Sequence, residues 1–187
     1  MNISSLDIAD CFLIEYKPHI DSRGSTVELF NDRQNKIDFE THQVNITRSN
    51  LNVIRGLHYS KFPHTQKMIV TCIKGSITDV LVDVRLNSPT FGNVIQLELS
   101  EDINLGVIVP SGVAHGYAVR QNKTVVHYLF SKSYDPDNEF TINPINSGFN
   151  ISWAIENPIL SEKDSISLDF DDALNRDLLP TYSKPLK

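Results

Sequence analysis

The chain has 187 residues, 40% of them hydrophobic, and 17 Lys and Arg against 23 Asp and Glu give it a formal net charge of -6. That acidic balance argues against a nucleic-acid partner, because a duplex binder needs a basic face to release counterions from phosphates. No apolar run approaches the roughly 18 residues that would span a bilayer, so no membrane role is expected.

No repeat, low-complexity stretch or Pro/Gly/Ser linker divides residues 1–187, and one domain is expected. Cys11 and Cys72 sit inside apolar runs without metal-like spacing; buried thiols in a reducing, cytoplasmic setting are expected. From Cys11 to Thr141 the chain reads with period two, in short runs broken by Gly, Pro, Asn and Asp at the spacing of about 8 to 12 residues typical of all-β folds. The expected strands are Cys11 to Tyr16, Thr26 to Phe30 after the turn Asp21-Ser22-Arg23-Gly24, Gln43 to Thr47, and Arg55 to Tyr59. Met68 to Ile73 follows a loop with Pro63 and enters a Lys74-Gly75 turn, which predicts a hairpin. In the next strand, Ile77 to Arg85, Thr78, Val80, Val82 and Val84 share one face. Ile77, Asp79, Leu81, Asp83 and Arg85 share the other, so one face is expected to line something polar. Val94 to Leu99, Leu105 to Val109, Val113 to Arg120 and Thr124 to Ser131 complete the series. Many short antiparallel strands avoid exposed edges by closing into a barrel or double-sheet jelly roll, whose mouth is a common ligand site. Ser161-Glu162-Lys163-Asp164 reads as a helix start, and Asp171 to Leu179 as a short helix before Pro180, packed against the barrel.

The chemistry concentrates at Asn52 to Tyr59, where Arg55, Gly56 and His58 fall within four positions. Arg55 can grip a phosphate bidentately, Gly56 permits close backbone approach, and His58 brings the side-chain type whose unperturbed pKa lies nearest neutrality. An ordinary strand with a surface arginine and a packed histidine fits the same residues. Pro110-Ser111-Gly112-Val113-Ala114-His115 matches the P-x-G-x-x-H element by which cupin jelly rolls deliver a histidine into the barrel. Metal-binding cupins add an earlier His-x-His and a carboxylate. Among His19, His42, His58, His64, His115 and His127 no such pair exists. No metal and no cofactor is therefore expected, although His58, His64 and His115 remain a conceivable ligand set.

These motifs are joined in order by Asp21-x-Arg23-Gly24 with Glu28, Gln43-x-Asn45, Arg55-Gly56-Leu57-His58-Tyr59, Asp83-x-Arg85, and Ser88-Pro89-Thr90-Phe91-Gly92. After the cupin element come Tyr128 with Tyr134 six residues later, Glu139, Trp153 and Ser161-x-Lys163-Asp164. Taken together, over nearly the whole chain, they resemble the dTDP-4-dehydrorhamnose 3,5-epimerase family, which are cupins that need no metal. The resemblance implies an all-β cupin jelly roll with short C-terminal helical segments. It also implies epimerisation of a dTDP-linked 4-keto-6-deoxy sugar at C5 and/or C3, for deoxysugar biosynthesis. It implies His58 as the base with Asp164 as its orienting carboxylate, and Tyr128 as the acid on the opposite face. Arg23, Arg55 and Lys163 are implied to contact the nucleotide-sugar, with Gln43, Asn45 and Glu139 adding hydrogen bonds. Tyr134 is implied to stack on the base and His115 to lie near the keto oxygen. The family is homodimeric, and the shared N-terminal strands would carry Arg23 and Glu28 into the partner's pocket.

The chain departs from the family pattern mildly at Ser60, Thr26 and Thr47, which stand for a glutamine, a phenylalanine and a serine, and more sharply at one strand position: without gaps, the family's active-site lysine falls on Met68, with Lys67 on the other face. A regular register leaves the pocket without that ammonium, whereas a bulge in the Ser60 to Gln66 loop would bring Lys67 inward. A single-carbon epimerase or keto-isomerase on a dTDP- or CDP-linked sugar is the alternative within enzymes. A metal-dependent cupin oxygenase and a non-catalytic nucleotide-sugar-binding module are the alternatives outside it.

Overall fold

The computed structural model describes residues 1–31 and 38–183. Among them the chain forms β1 (Asn2–Ser5), β2 (Phe12–Glu15), β3 (His19–Asp21), β4 (Gly24–Thr26), β5 (Gln43–Ser49), β6 (Ile54–Ser60), β7 (Met68–Lys74) and β8 (Ser76–Asp83). There follow β9 (Val94–Ser100), β10 (Leu105–Val109), β11 (Val113–Val119), β12 (Thr124–Phe130), β13 (Glu139–Thr141), and helices α1 (Glu162–Ser165) and α2 (Phe170–Asn175). A six-stranded sheet in the order β1-β2-β10-β7-β12-β5 faces a five-stranded sheet in the order β13-β6-β11-β8-β9, and β3 and β4 form a separate hairpin.

Period-two alternation explains the layers. Val70, Cys72, Val107, Val126 and Tyr128 of the larger sheet pack in one cluster with Ile77, Leu81, Leu99, Val113, Tyr117 and Val119 of the smaller. This is the interior of a double-sheet jelly roll. The outer face of the smaller sheet, with Ile54, Leu57, Val80, Val82 and Ala114, is covered by C-terminal residues including Trp153, Ala173 and Leu179. Trp153 is buried there without cost to its ring N–H, which donates to the Pro144 carbonyl at 2.7 Å. Ile14, Ile69, Ile108 and Leu129 on the outer face of the larger sheet are covered by Phe39, Val27, Leu29 and Phe30.

Several expectations need correction. The strand expected over Thr26 to Phe30 stops at Thr26. Its alternating apolar residues Val27 and Leu29, with Phe30, instead lie as irregular chain across a sheet, a use that produces the same pattern without a ladder. The strand from Ile77 ends at Asp83 rather than Arg85. Its supposedly polar face is barrel interior, where Ile77 and Leu81 alternate with two wholly buried carboxylates, Asp79 and Asp83. Asp83 is held by Arg85 Nε at 2.8 Å, Ser88 Oγ at 2.6 Å and Thr90 Oγ1 at 2.7 Å. The second helix covers Phe170–Asn175, not Asp171 to Leu179, because Asp169 caps it one residue earlier and the chain leaves helical geometry at Arg176. The first helix begins where its signal predicts: the Ser161 side chain accepts from the Asp164 N–H. Cys11 and Cys72 are buried free thiols.

Candidate active site

The site begins with a fault in a ladder. His115 of β11 pairs with His58 of β6, but two residues later Tyr117 pairs with Arg55, three residues earlier. The extra residue on β6 is a bulge. Strict alternation would send Arg55 and His58 to opposite faces. With the bulge, Ile54, Leu57 and Tyr59 all pack outward, and Arg55 and His58 are both left to the inner side. Only glycine fits the crossing. Gly56 has a φ of +112°, and a Cβ there would lie 2.5 Å from the Gly116 Cα.

His58 lines a pocket with Met68, Gln66, His64, Tyr134 and Glu139. Its Nε2 is 2.7 Å from Oδ1 of Asp164, which helix α1 holds almost wholly buried. Burial opposes the Asp164 charge, but the His58 imidazole, the Ser161 hydroxyl and the Gly56 N–H together hold its carboxyl below the usual range. An ionised carboxylate only accepts hydrogen bonds. Nε2–H therefore donates to Asp164, and Nδ1 is left as the basic nitrogen. The arrangement suits proton abstraction followed by stabilisation of the imidazolium.

A second pair lies deeper: His115 Nε2 is 2.7 Å from Asp79 Oδ1, both buried. The sequence reading missed Asp79 as a partner, although its place on the polar face of β8 was visible. The His115 ring packs edge-on against Tyr128, centroid to centroid 6.2 Å. Tyr128 comes from β12 in the opposite sheet. Burial pushes its phenol well above the ordinary value, and the adjacent Tyr117 hydroxyl and Asp79 carboxylate push the same way against Arg55. Tyr128 therefore stands protonated and able to give a proton. Arg55 is steadied by Ser49, whose Oγ accepts from Nε at 3.1 Å; nothing in the sequence marks that serine.

Polar groups of the rim are joined to one another. Gln43 Nε2 donates to Asn45 Oδ1 at 3.1 Å, and Gln43 Oε1 accepts from the Tyr134 N–H at 2.7 Å. Asn45 stands opposite Tyr128 in the β5–β12 ladder. Lys163 Nζ lies 2.6 Å from Glu139 Oε1, and although burial works against its charge, Glu139 raises its pKa. Arg23 and Glu28 are not gathered with these residues. Exposed Arg23 pairs with Asp21 of its own hairpin at 2.6 Å, and exposed Glu28 accepts from Asn31 at 3.1 Å. Lys67 takes the regular register: Nζ donates to the Asp38 carbonyl at 2.9 Å on the outer side, while Met68 lines the pocket. The conceivable His58, His64 and His115 ligand set does not assemble. Each stands with its own carboxylate, His64 with Asp135 at 3.7 Å, and among the described residues no three His, Cys, Asp or Glu converge as metal ligands. His127 is half-buried, and burial lowers its pKa.

Residues 5–172 match the family model described as dTDP-4-dehydrorhamnose 3,5-epimerase. A dTDP-4-dehydrorhamnose 3,5-epimerase of Mycobacterium tuberculosis is 33% identical over 98% of this chain and 95% of its own length. The Legionella pneumophila 3,5-epimerase solved with dTDP-4-keto-L-rhamnose superposes with a TM-score of 0.90, at 33% identity over 98% of this chain and 99% of that one. A 3'-monoepimerase from Streptomyces bikiniensis solved with dTDP-quinovose gives a TM-score of 0.89, at 31% identity over 95% and 92%.

Proposed function

The chain belongs to the dTDP-4-dehydrorhamnose 3,5-epimerase family, and on that premise we propose that it inverts C5, C3 or both in a dTDP-linked 4-keto-6-deoxy-hexose, for deoxysugar biosynthesis. The keto group acidifies the C–H bonds beside it, so inversion needs a base on one face, an acid on the other and a cationic or donor environment at the enolate oxygen. His58 takes the proton, Asp164 steadies the imidazolium, and Tyr128 returns a proton to the opposite face. His115 lies near the keto oxygen. The observation that carries the reading is the 2.7 Å pair of His58, on one sheet, with Asp164 of helix α1, and Tyr128 supplied by the opposite sheet.

Arg55 and Lys163 contact the nucleotide-sugar, Gln43, Asn45 and Glu139 add hydrogen bonds, and half-exposed Tyr134 stacks on the base. Arg23 and Glu28 serve a second copy of the chain in a homodimer. Supporting this, the β3–β4 hairpin is exposed throughout, Ile20 is 78% exposed, and Val44 and Ile46 leave apolar surface on the outer face of β5. The cytoplasm is the compartment we assign; among the described residues no helix is long and apolar enough to cross a membrane.

Inversion at a single carbon is the second reading, favoured by the methionine in the pocket and the outward Lys67. The test of both is incubation with dTDP-4-keto-6-deoxyglucose in deuterated buffer, with label read separately at C3 and C5. Deuterium with inverted configuration is expected at one or both carbons. No label at either would refute the function.

A further inference from the structure

His64 has no part in the function proposed above, yet it lines the same pocket as His58 and Met68. It lies in the loop that leads into β7, where its N–H closes a turn on the Lys61 carbonyl at 3.0 Å. A second loop, after β12, is tied to this one: Gln66 Nε2 donates to the Lys132 carbonyl at 2.8 Å, and the Lys61 N–H to the Asn138 carbonyl at 3.3 Å. The tie brings Asp135 to the imidazole, with Oδ2 3.7 Å from Nδ1 and the His64 side chain 15% exposed. Asp135 is itself fixed, since Asn138 Nδ2 donates to Oδ2 at 2.8 Å and the Asp137 N–H to Oδ1 at 3.1 Å. The Asn138 bond, opposed by desolvation and helped by the Asp137 N–H and the His64 ring, holds the Asp135 carboxyl below its usual range. Facing that anion, Nδ1 carries its proton. The other ring nitrogen, Nε2, is buried and has no hydrogen-bond partner among the described residues. Such atoms are rare, because a polar group taken out of water is destabilising unless it is bonded. In the wall of a pocket, the partner that remains is the ligand.

The proposed function, on which this inference rests, says which atom of the ligand needs a donor. When His58 takes the proton, the C–H pair moves into the ring C–C bond and the carbonyl pair moves onto oxygen. That oxyanion must be met by hydrogen-bond donors, and it has lone pairs for a second one beside His115. Met68 in the same wall brings none, and Lys67 is bound to Asp38 outside the barrel. Ser60 and Gln66, also in the wall, are occupied: the Ser60 hydroxyl accepts from the Gln66 N–H at 3.2 Å, and the Gln66 amide holds Lys132. We infer that His64 is a further catalytic residue, an imidazolium whose Nε2–H donates to the enolate oxygen, as an ammonium at Met68 would. Asp135 balances the charge of the ring and fixes its plane, which makes Asp135 a positioning residue. No proton changes hands at His64. His58 holds the one removed, Tyr128 supplies the one added, and the His64 hydrogen bond strengthens as charge develops on the oxygen.

His64→Ala should slow deuterium entry, at each carbon that the native protein labels, on the order of 100-fold in kcat, the scale of one lost oxyanion donor. Its affinity for dTDP, which lacks the sugar, should stay native. His64→Gln keeps a neutral N–H donor and should lose less. Met68→Lys, introduced into the His64→Ala chain, should recover most of the lost exchange, because an ammonium there serves the same oxygen; a residue that only packs the wall gains nothing from it. Native exchange in His64→Ala would overturn the inference. A dTDP affinity that falls along with the exchange rate would overturn it too, making His64 a nucleotide contact, as would a loss that neither His64→Gln nor Met68→Lys relieves. Failure of the functional reading itself is distinguishable, since the unmodified protein would then incorporate no deuterium, and the inference would fall with it.

Discussion

Asp164→Asn tests the His58–Asp164 pair most directly. The carboxylate is 4% exposed, its hydrogen bond to His58 Nε2 is 2.7 Å, and solvent screens the pair weakly. The asparagine amide oxygen can still accept from Nε2–H and hold the ring, but it cannot supply the negative charge that stabilises the imidazolium. A hydrogen bond to a charged group is worth about 1.5–3 kcal/mol, which converts to a rate loss of about 10- to 150-fold. Exchange at C3 and C5 should therefore slow on the order of 100-fold in kcat while KM holds, because Asp164 contacts the base rather than the sugar. His58→Ala, by contrast, should abolish exchange and leave nucleotide-sugar binding. Asp164→Asn also carries a stability signature. The Asp164 carboxyl is held below its ordinary pKa in the folded chain, so it contributes stability that is present above about pH 4 and lost as pH falls through the folded value. The D164N protein lacks that contribution, and its thermal stability should converge with that of the native protein only on the acid side. Exchange within about threefold of native, when about 100-fold is expected, would refute the orienting role of Asp164.

Tyr128→Phe should leave wash-in on the His58 face while inversion falls by on the order of 100-fold or more, the usual scale of a lost general acid; equal loss of both would reduce Tyr128 to a pocket wall. Lys67→Ala should change turnover by less than about twofold, as for other surface substitutions, since its ammonium binds Asp38 outside the barrel. Met68→Lys should instead raise exchange at the slower carbon by placing charge at the enolate oxygen, and a variant with unaltered C3 and C5 label would sink that idea. Gly56→Ala combines a strained φ with a 2.5 Å approach to the Gly116 backbone. It should destabilise the fold by on the order of 4 kcal/mol, read from the denaturant midpoint.

By itself the sequence determined the elements whose physics is local. Period-two alternation located β5 to β12 to within a few residues, and the two faces of β8 separated as the residues Ile77 to Asp83 predict. Ser161 announced α1 because a cap is a contact between near neighbours in the chain. The resemblance carried by the ordered motifs pointed to His58, Tyr128 and Asp164, of which the structure brings His58 and Asp164 to 2.7 Å. Tertiary structure decided what depends on partners far along the chain. The short polar strands β1, β3 and β13 exist only through their ladders, and backbone hydrogen bonds leave no side-chain pattern to read. Val27 to Phe30 show the converse, a strand-like pattern spent on covering a sheet. Register settled the position of Lys67, since one residue of slip would have exchanged it with Met68. The bulge at Gly56 placed Arg55 and His58 on one side, against the alternation their spacing implies, because the crossing of two backbones at Gly56 and Gly116 involves residues sixty apart that no local signal connects.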